Sequence, residues 1–250
     1  MSNEINQDMI IGRNPVREAL ESGREMNKLL ILQDSRDKHL QKIIDLAKEK
    51  RYLIQFVDRK KLDKTADGNN HQGVIAYVAA YEYVDKEALI ERARKKNEPP
   101  FLIICDEIND PHNLGSILRT ADAVGAHGVI IPKRRSASLN TTVAKTSCGA
   151  IEYVPVSRVS NIAQTLDWLK EQGVWIAGMD MSGDTYYKAN LTGSLAIVVG
   201  NEGSGMSRLV REKCDFMISM PMLGSVDSLN ASVATGIILY EVLRQRQNKA

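Results

Sequence analysis

The stretch FLIICDEINDPHNLGSILRTADAVGAHGVII, residues 101–131, decides the fold. Its first five residues are apolar without alternation, which suits a strand covered on both faces. The turn formers of DEINDP follow, then a helix-period stretch over 113–124, then a second apolar run over 128–131. Strand, helix and strand in so short a span make a parallel crossover unit. Working downstream, the same spacing predicts strands over 152–156, 174–179, 195–200 and 216–220, with helices over 140–148, 161–172, 207–211 and 229–245. The fold class is α/β with a parallel sheet. Ligands of such sheets bind outside the carboxyl ends of the strands, so the loops after Asp106, Gly200 and Met220 are where chemistry is expected.

Upstream lies ERARKKNEPP, residues 91–100, where a charged run ends in paired prolines that exclude helix for the residue before them. The reading is a front domain over 1–84, a linker over 85–100 and a back domain over 101–250. In the front domain a helix is expected over 14–22, with Asn14 as N-cap and Pro15 at the first helical position. Strands over 28–32, 53–57 and 73–81 and helices over 38–50 and 58–64 complete a small α/β unit. The loop ADGNNHQG, 66–73, is polar and rich in turn formers, so it is expected to be exposed and mobile.

The chain has 250 residues, 43% hydrophobic and 26% charged, enough apolar material for a packed core and too little charge excess for disorder. No apolar run approaches the roughly 20 residues needed to cross a bilayer. The N-terminus MSNEINQDMI is polar and does not read as a signal peptide, which points to the cytoplasm. Cys105, Cys148 and Cys214 are too scattered for a disulfide framework and read as free thiols, at least two of them in core strands or helices. The four histidines have no ligand spacing either, so no metal is expected. The net charge is only +2, but basic clusters stand at Arg59, Lys60, Lys61 and Lys64, at 92–96, at 133–135, and at Arg244, Arg246 and Lys249. Each is either a solvated face or a phosphate-binding patch.

Three loops carry the functional signal. In the first, Asn113 suits an N-cap and Arg119 is expected over the space that Gly115 leaves empty, a guanidinium near free amides that would suit a phosphate. Pairing with Asp122 or Asp106 is the alternative. In the second, LAIVVGNEGSG (195–205), a strand runs into glycines, and Glu202 among them favours a ligand with hydroxyls, amines or positive charge over a bare pyrophosphate. A tight turn with an exposed glutamate is the alternative. In the third, Ser228 and Asn230 precede a helix whose Ala231, Ala234, Thr235 and Gly236 permit close approach by a ligand, a second subunit or the sheet.

Together the segments NLGSILRTA (113–121), IVVGNEGSG (197–205) and ISMPMLGSVDSLNAS (218–232) resemble the three motifs of the SpoU/TrmH family of RNA ribose 2′-O-methyltransferases. The front segment IIGRNPVREAL (10–20) is similar to the RNA-binding domain of the subgroup that methylates a guanosine of 23S ribosomal RNA. The resemblance implies a small N-terminal RNA-binding α/β domain and a C-terminal domain tied in a trefoil knot, acting as a homodimer on RNA, with S-adenosylmethionine as cofactor. It implies that Gly200, Met220 and Leu229 hold the cofactor and that Asn113, Arg119, Glu202, Ser228 and Asn230 form the catalytic pocket. Transfer RNA is the alternative substrate. A non-catalytic RNA-binding protein is the rival from another class. A nicotinamide-dependent dehydrogenase is disfavoured, since GNEGSG (200–205) lacks the dinucleotide spacing.

Overall fold

The computed structural model describes residues 9–35, 37–78, 81–225 and 228–248. The N-terminal residues 1–8, the end of the expected strand at 79–80, Val226 and Asp227 of the third loop, and Lys249 lie outside the described residues. The chain divides into two compact units, Met1–Glu82 and Tyr83–Ala250.

In the first unit the elements run β1 (Met9–Ile11), α1 (Arg13–Glu21), β2 (Met26–Leu32), α2 (Lys38–Glu49), β3 (Ile54–Val57), α3 (Arg59–Ala66) and β4 (Val74–Val78). The sheet order is β1-β4-β2-β3, mixed in sense. Alternate residues of β2 face opposite sides. Leu29 and Ile31 meet Val16, Leu20, Leu40 and Ile43 of α1 and α2, while Leu30 meets Leu62 of α3. Two expectations are corrected. Helix α1 begins one residue before Asn14, because Gly12 takes φ 98° at the cap position and the Arg13 amide is met by Gln72 Oε1 at 3.1 Å. The loop 66–73 is exposed over 67–70 as expected but not at His71, which is buried, accepts from the Gly73 amide through Nδ1 (2.9 Å) and donates through Nε2 to Asp63 (2.9 Å).

The second unit runs α4 (Lys86–Lys95), β5 (Phe101–Cys105), α5 (Pro111–Ala123), β6 (Gly128–Pro132), α6 (Thr141–Thr146), β7 (Val156–Val159), α7 (Ile162–Glu171), β8 (Trp175–Thr185), β9 (Leu195–Val199), α8 (Arg208–Lys213), β10 (Phe216–Ser219) and α9 (Ala231–Gln247). All pairings are parallel, in the order β10-β8-β9-β5-β6-β7. The segment expected as a linker instead contributes α4, whose Leu89 and Ile90 pack into this unit's core while its charges face water. The strand expected over 152–156 starts only at Val156. Cys148 and Gly149 take φ 50° and 90°, and a short 3-10 turn, Ala150–Glu152, follows them. Strand order reverses direction between β5 and β9, so the loops after these two strands meet at the crevice where such sheets bind ligands. No helix among the described residues is long and apolar enough to cross a membrane.

Two of the basic clusters are used within this unit. Arg92 donates to the Tyr153 carbonyl at 2.8 Å. Arg246 stacks on Phe101 and donates to the carbonyls of Pro99, Pro100 and Gly193, while Arg244 pairs with Glu241. Of the cysteines, Cys105 lies in the core of β5, Cys214 is half-buried at the end of α8, and Cys148 is exposed. Burial pushes the Cys105 and Cys214 thiols up to about 12, so both stay protonated at neutral pH.

Candidate active site

A cavity of about 210 Å³ opens at the carboxyl ends of β8, β9 and β10, with the start of α9 as its far wall. Gly200, Met220 and Leu229, expected to hold a cofactor, all line it, and so do Glu202 and Ser228. Gly200 has to be glycine because the loop folds back across it. A Cβ there would lie 2.3 Å from the Met206 amide nitrogen and 2.4 Å from the Gly205 carbonyl carbon. Asn201 shapes the fold-back, with Oδ1 accepting from the Gly203 and Ser204 amides (2.9 and 3.2 Å). Its Nδ2 donates to the Glu107 carbonyl at 3.0 Å, and the Ser207 amide donates to Asp106 Oδ2 at 2.7 Å. Both ends of the glycine loop are thus stapled to the segment after β5.

Asn113 is not the cap of α5. Asp110 is, accepting from the His112 amide at 2.9 Å with Pro111 behind it. Asn113 is instead 6% exposed inside the first turn, and its side chain bridges the second and third motifs. Its Nδ2 donates to Glu202 Oε1, and its Oδ1 accepts from Asn230 Nδ2 at 2.9 Å. A carboxylate oxygen accepts from the amide, which fixes the orientation of both amides along the row. Asn230 also caps α9, its Oδ1 accepting from the Ser232 and Val233 amides (2.9 and 3.2 Å). The row Glu202–Asn113–Asn230 thereby ties residues from all three motifs together beside the cavity, which Glu202 lines and the two asparagines do not.

Arg119 is not brought there by its own chain. It lies six residues beyond Asn113, roughly 9 Å along the helix axis, and is not among the residues lining the cavity. The space at Gly115 is filled by α6, since a Cβ at Gly115 would lie 2.6 Å from Thr146 Cβ. Arg119 therefore does not fold over Gly115. It is exposed, makes no ion pair among the described residues, and donates to Cys148 Sγ at 3.3 Å. Pairing with Asp122 or Asp106 does not occur.

Sequence reasoning missed the β8 side of the cavity. Met179, Asp180 and Met181 line it, and Asp180 is clamped by Arg211 at 2.9 Å. The predicted strand ended at 179, and nothing in the residues DMSG (180–183) distinguishes a wall from a turn.

Two family profiles divide the chain between them. One, described as RNA 2′-O ribose methyltransferase substrate binding, matches residues 9–84, and the other, the SpoU rRNA Methylase family, matches residues 100–240. The chain belongs to the SpoU methylase family. It is 54% identical over 241 residues to YacO of Bacillus subtilis (strain 168), assigned to the TrmH family of tRNA/rRNA methyltransferases, with 96% of each chain covered. A Staphylococcus aureus (strain MSSA476) protein of the same assignment is 50% identical over 242 residues, covering 96% of this chain and 97% of that one. Among solved structures, the SpoU methyltransferase AviRb from Streptomyces viridochromogenes, in complex with AdoMet, superposes with a TM-score of 0.60 at 27% identity, covering 96% of this chain and 90% of that one. The TrmH/SpoU tRNA modifying enzyme of A. aeolicus gives 0.56 at 32% identity, over 64% of this chain and 85% of its own. The α/β architecture, with a smaller front unit and a parallel-sheet unit behind it, is that of the SpoU methyltransferases.

Proposed function

We propose that this SpoU-family chain transfers a methyl group from S-adenosylmethionine to the 2′-hydroxyl of a ribose in RNA, a guanosine of 23S ribosomal RNA being the substrate. The observation that carries this reading is a cavity lined by residues of the second and third motifs, with Asn113 of the first motif hydrogen-bonded to both Glu202 and Asn230. The cavity residues fit the cofactor. Thioether and aliphatic walls (Met179, Met220, Ile218, Leu229) suit an adenine ring, Asp180, paired with Arg211, suits a hydroxyl, and the Glu202 carboxylate suits hydroxyls or positive charge. Bound there, the cofactor supplies an electrophilic methyl carbon on a cationic sulfur.

The remaining chemistry belongs to the chain. The attacking oxygen has to stand in line with the methyl carbon and sulfur, and the stapled glycine loop supplies the rigidity for that placement. The hydroxyl has to lose its proton. Arg119 does not take it, because an arginine with a pKa above about 12 is effectively never deprotonated. In this proposal the guanidinium, which makes no ion pair among the described residues and is not carried to the cavity by its own chain, is supplied by the second copy of the homodimer, where it grips a phosphate of the RNA and stabilises charge growing on the oxygen. Glu202 holds Asn113 through Oε1, while Oε2 has no hydrogen bond among the described residues and is the proton acceptor in this proposal. Asn230 and Ser228 orient the ribose at the mouth.

The front unit selects the RNA in this proposal, and the chain acts in the cytoplasm as a homodimer with a trefoil-threaded catalytic unit. Val233, Ile237 and Tyr240 form an exposed apolar stripe on α9 beside Thr120 of α5, which suits a second copy. The test is to incubate the chain with methyl-tritiated S-adenosylmethionine and total RNA from cells lacking it, then digest with alkali. A 2′-O-methyl ribose blocks alkaline cleavage at its own linkage. The expected result is label in one alkali-resistant dinucleotide of 23S ribosomal RNA. Label in transfer RNA would move the substrate, and label in neither RNA would contradict the reading.

A further inference from the structure

Strand β8 does not run straight past the cavity. Its pairing with β10 jumps from Met217↔Gly178 to Ile218↔Asp184, so the ladder skips residues 179–183, which bulge out of the sheet. Bulges of this kind re-aim side chains beside active sites. Gly183 closes the excursion against β10, where a Cβ would lie 2.4 Å from the Met217 carbonyl carbon. The three bulge residues that reach the cavity are Met179, Asp180 and Met181.

Asp180 is the polar group of this trio, and its hydrogen bonds leave a defined vacancy. Oδ1 accepts from both the amide and the hydroxyl of Ser182, at 2.9 and 2.6 Å. Oδ2 accepts from Arg211 Nη1 at 2.9 Å, and Arg211 Nη2 donates to Ser182 Oγ at 2.7 Å, which locks the carboxylate in place. A carboxylate oxygen takes about two donors, so Oδ1 is full and Oδ2 has one position left. Burial opposes ionisation here, but the Ser182 hydroxyl and amide, with Arg211, outweigh it and hold Asp180 below the usual carboxylate range. The group at this wall is therefore an anion already neutralised by a neighbouring guanidinium. A cationic ligand group would face Arg211 as well as Asp180, whereas a neutral hydroxyl needs only the free acceptor position.

We infer that Asp180, carried on the β8 bulge and braced by Arg211, is a cofactor-specificity residue that accepts a hydrogen bond from a ribose hydroxyl of the methyl donor. The inference rests on the proposal that this cavity holds the donor. It adds a side-chain contact to a site whose three motifs do not include residue 180.

The test is a calorimetric cycle on the full chain with S-adenosylhomocysteine and its 2′-deoxy and 3′-deoxy analogues, which avoids the reactive sulfonium and reads binding alone. For the unaltered chain, loss of one of the two hydroxyls should weaken binding by roughly 10-fold, the scale of a hydrogen bond to a charged acceptor. Asp180→Ala should weaken the parent ligand by a similar factor and abolish the penalty for the deoxy analogue. Arg211→Ala, which loosens the brace, should retain most of that penalty. An undiminished deoxy penalty in Asp180→Ala overturns the inference. So does the absence of any penalty in the unaltered chain, a result that needs no variant to fold. If the unaltered chain binds none of the three ligands, the assignment of the cavity falls first, and this inference with it.

Discussion

Arg119→Lys should lower methyl transfer at saturating RNA and cofactor by about 10²–10³-fold, the cost typical of losing one preorganised donor to developing negative charge. Lysine keeps the charge but not the planar two-pronged donor that matches a phosphate. Cofactor affinity should be unchanged, because Arg119 stands outside the cavity and contacts Cys148 rather than any cavity wall. Single-turnover rates paired with calorimetric titration of S-adenosylhomocysteine separate the two effects. Near-full turnover in the lysine variant would remove the bidentate clamp. A large loss of cofactor binding would place the side chain elsewhere than where it is seen.

Gly200→Ala should have the opposite signature. The added methyl meets the backbone of Gly205 and Met206 at 2.3 to 2.8 Å, and backbone pinned by Asn201 and Asp106 has little room to give. Overpacking of this kind costs about 1–3 kcal/mol of stability, and displacement of the loop that walls the cavity should weaken cofactor binding by about 100-fold, equivalent to roughly 2.7 kcal/mol. Gly203→Ala is the internal control. Its Cβ would meet only Asn201 Oδ1 at 3.6 Å, so its affinity should stay within about twofold of the parent by the same conversion. Thermal unfolding and cofactor titration of the two variants should diverge sharply. Equal behaviour would mean that the glycine loop is not the cofactor wall.

The central strands and helices of the second unit were legible because uninterrupted apolar runs such as FLIIC (101–105) and LAIVV (195–199) leave no solvent face for a strand, and both form strands at the middle of the sheet. The first two loops were legible for the same reason, since they follow those runs, whereas the third follows the edge strand β10. Cap positions were less so. Asp110-Pro111 and Asn14-Pro15 carry the same local signal, yet only the first pair starts its helix, because Gly12 and the distant Gln72 satisfy the start of α1 instead. Arg119 was misplaced because spacing along one helix says nothing of α6, which fills the notch at Gly115. The charged composition of 91–96 concealed a helix whose inner face is only Leu89, Ile90 and Ala93. The β8 bulge leaves no local mark at all. It is set by register against β10, a pairing between segments some forty residues apart in the sequence.

A crystal of the full chain grown with S-adenosylhomocysteine tests the central claim most directly. The account predicts the ligand between the β8 bulge, the Gly200 turn and Met220, with the row Glu202–Asn113–Asn230 beside its sulfur. Density for the ligand anywhere else, or a sulfur remote from Asn113, would contradict it.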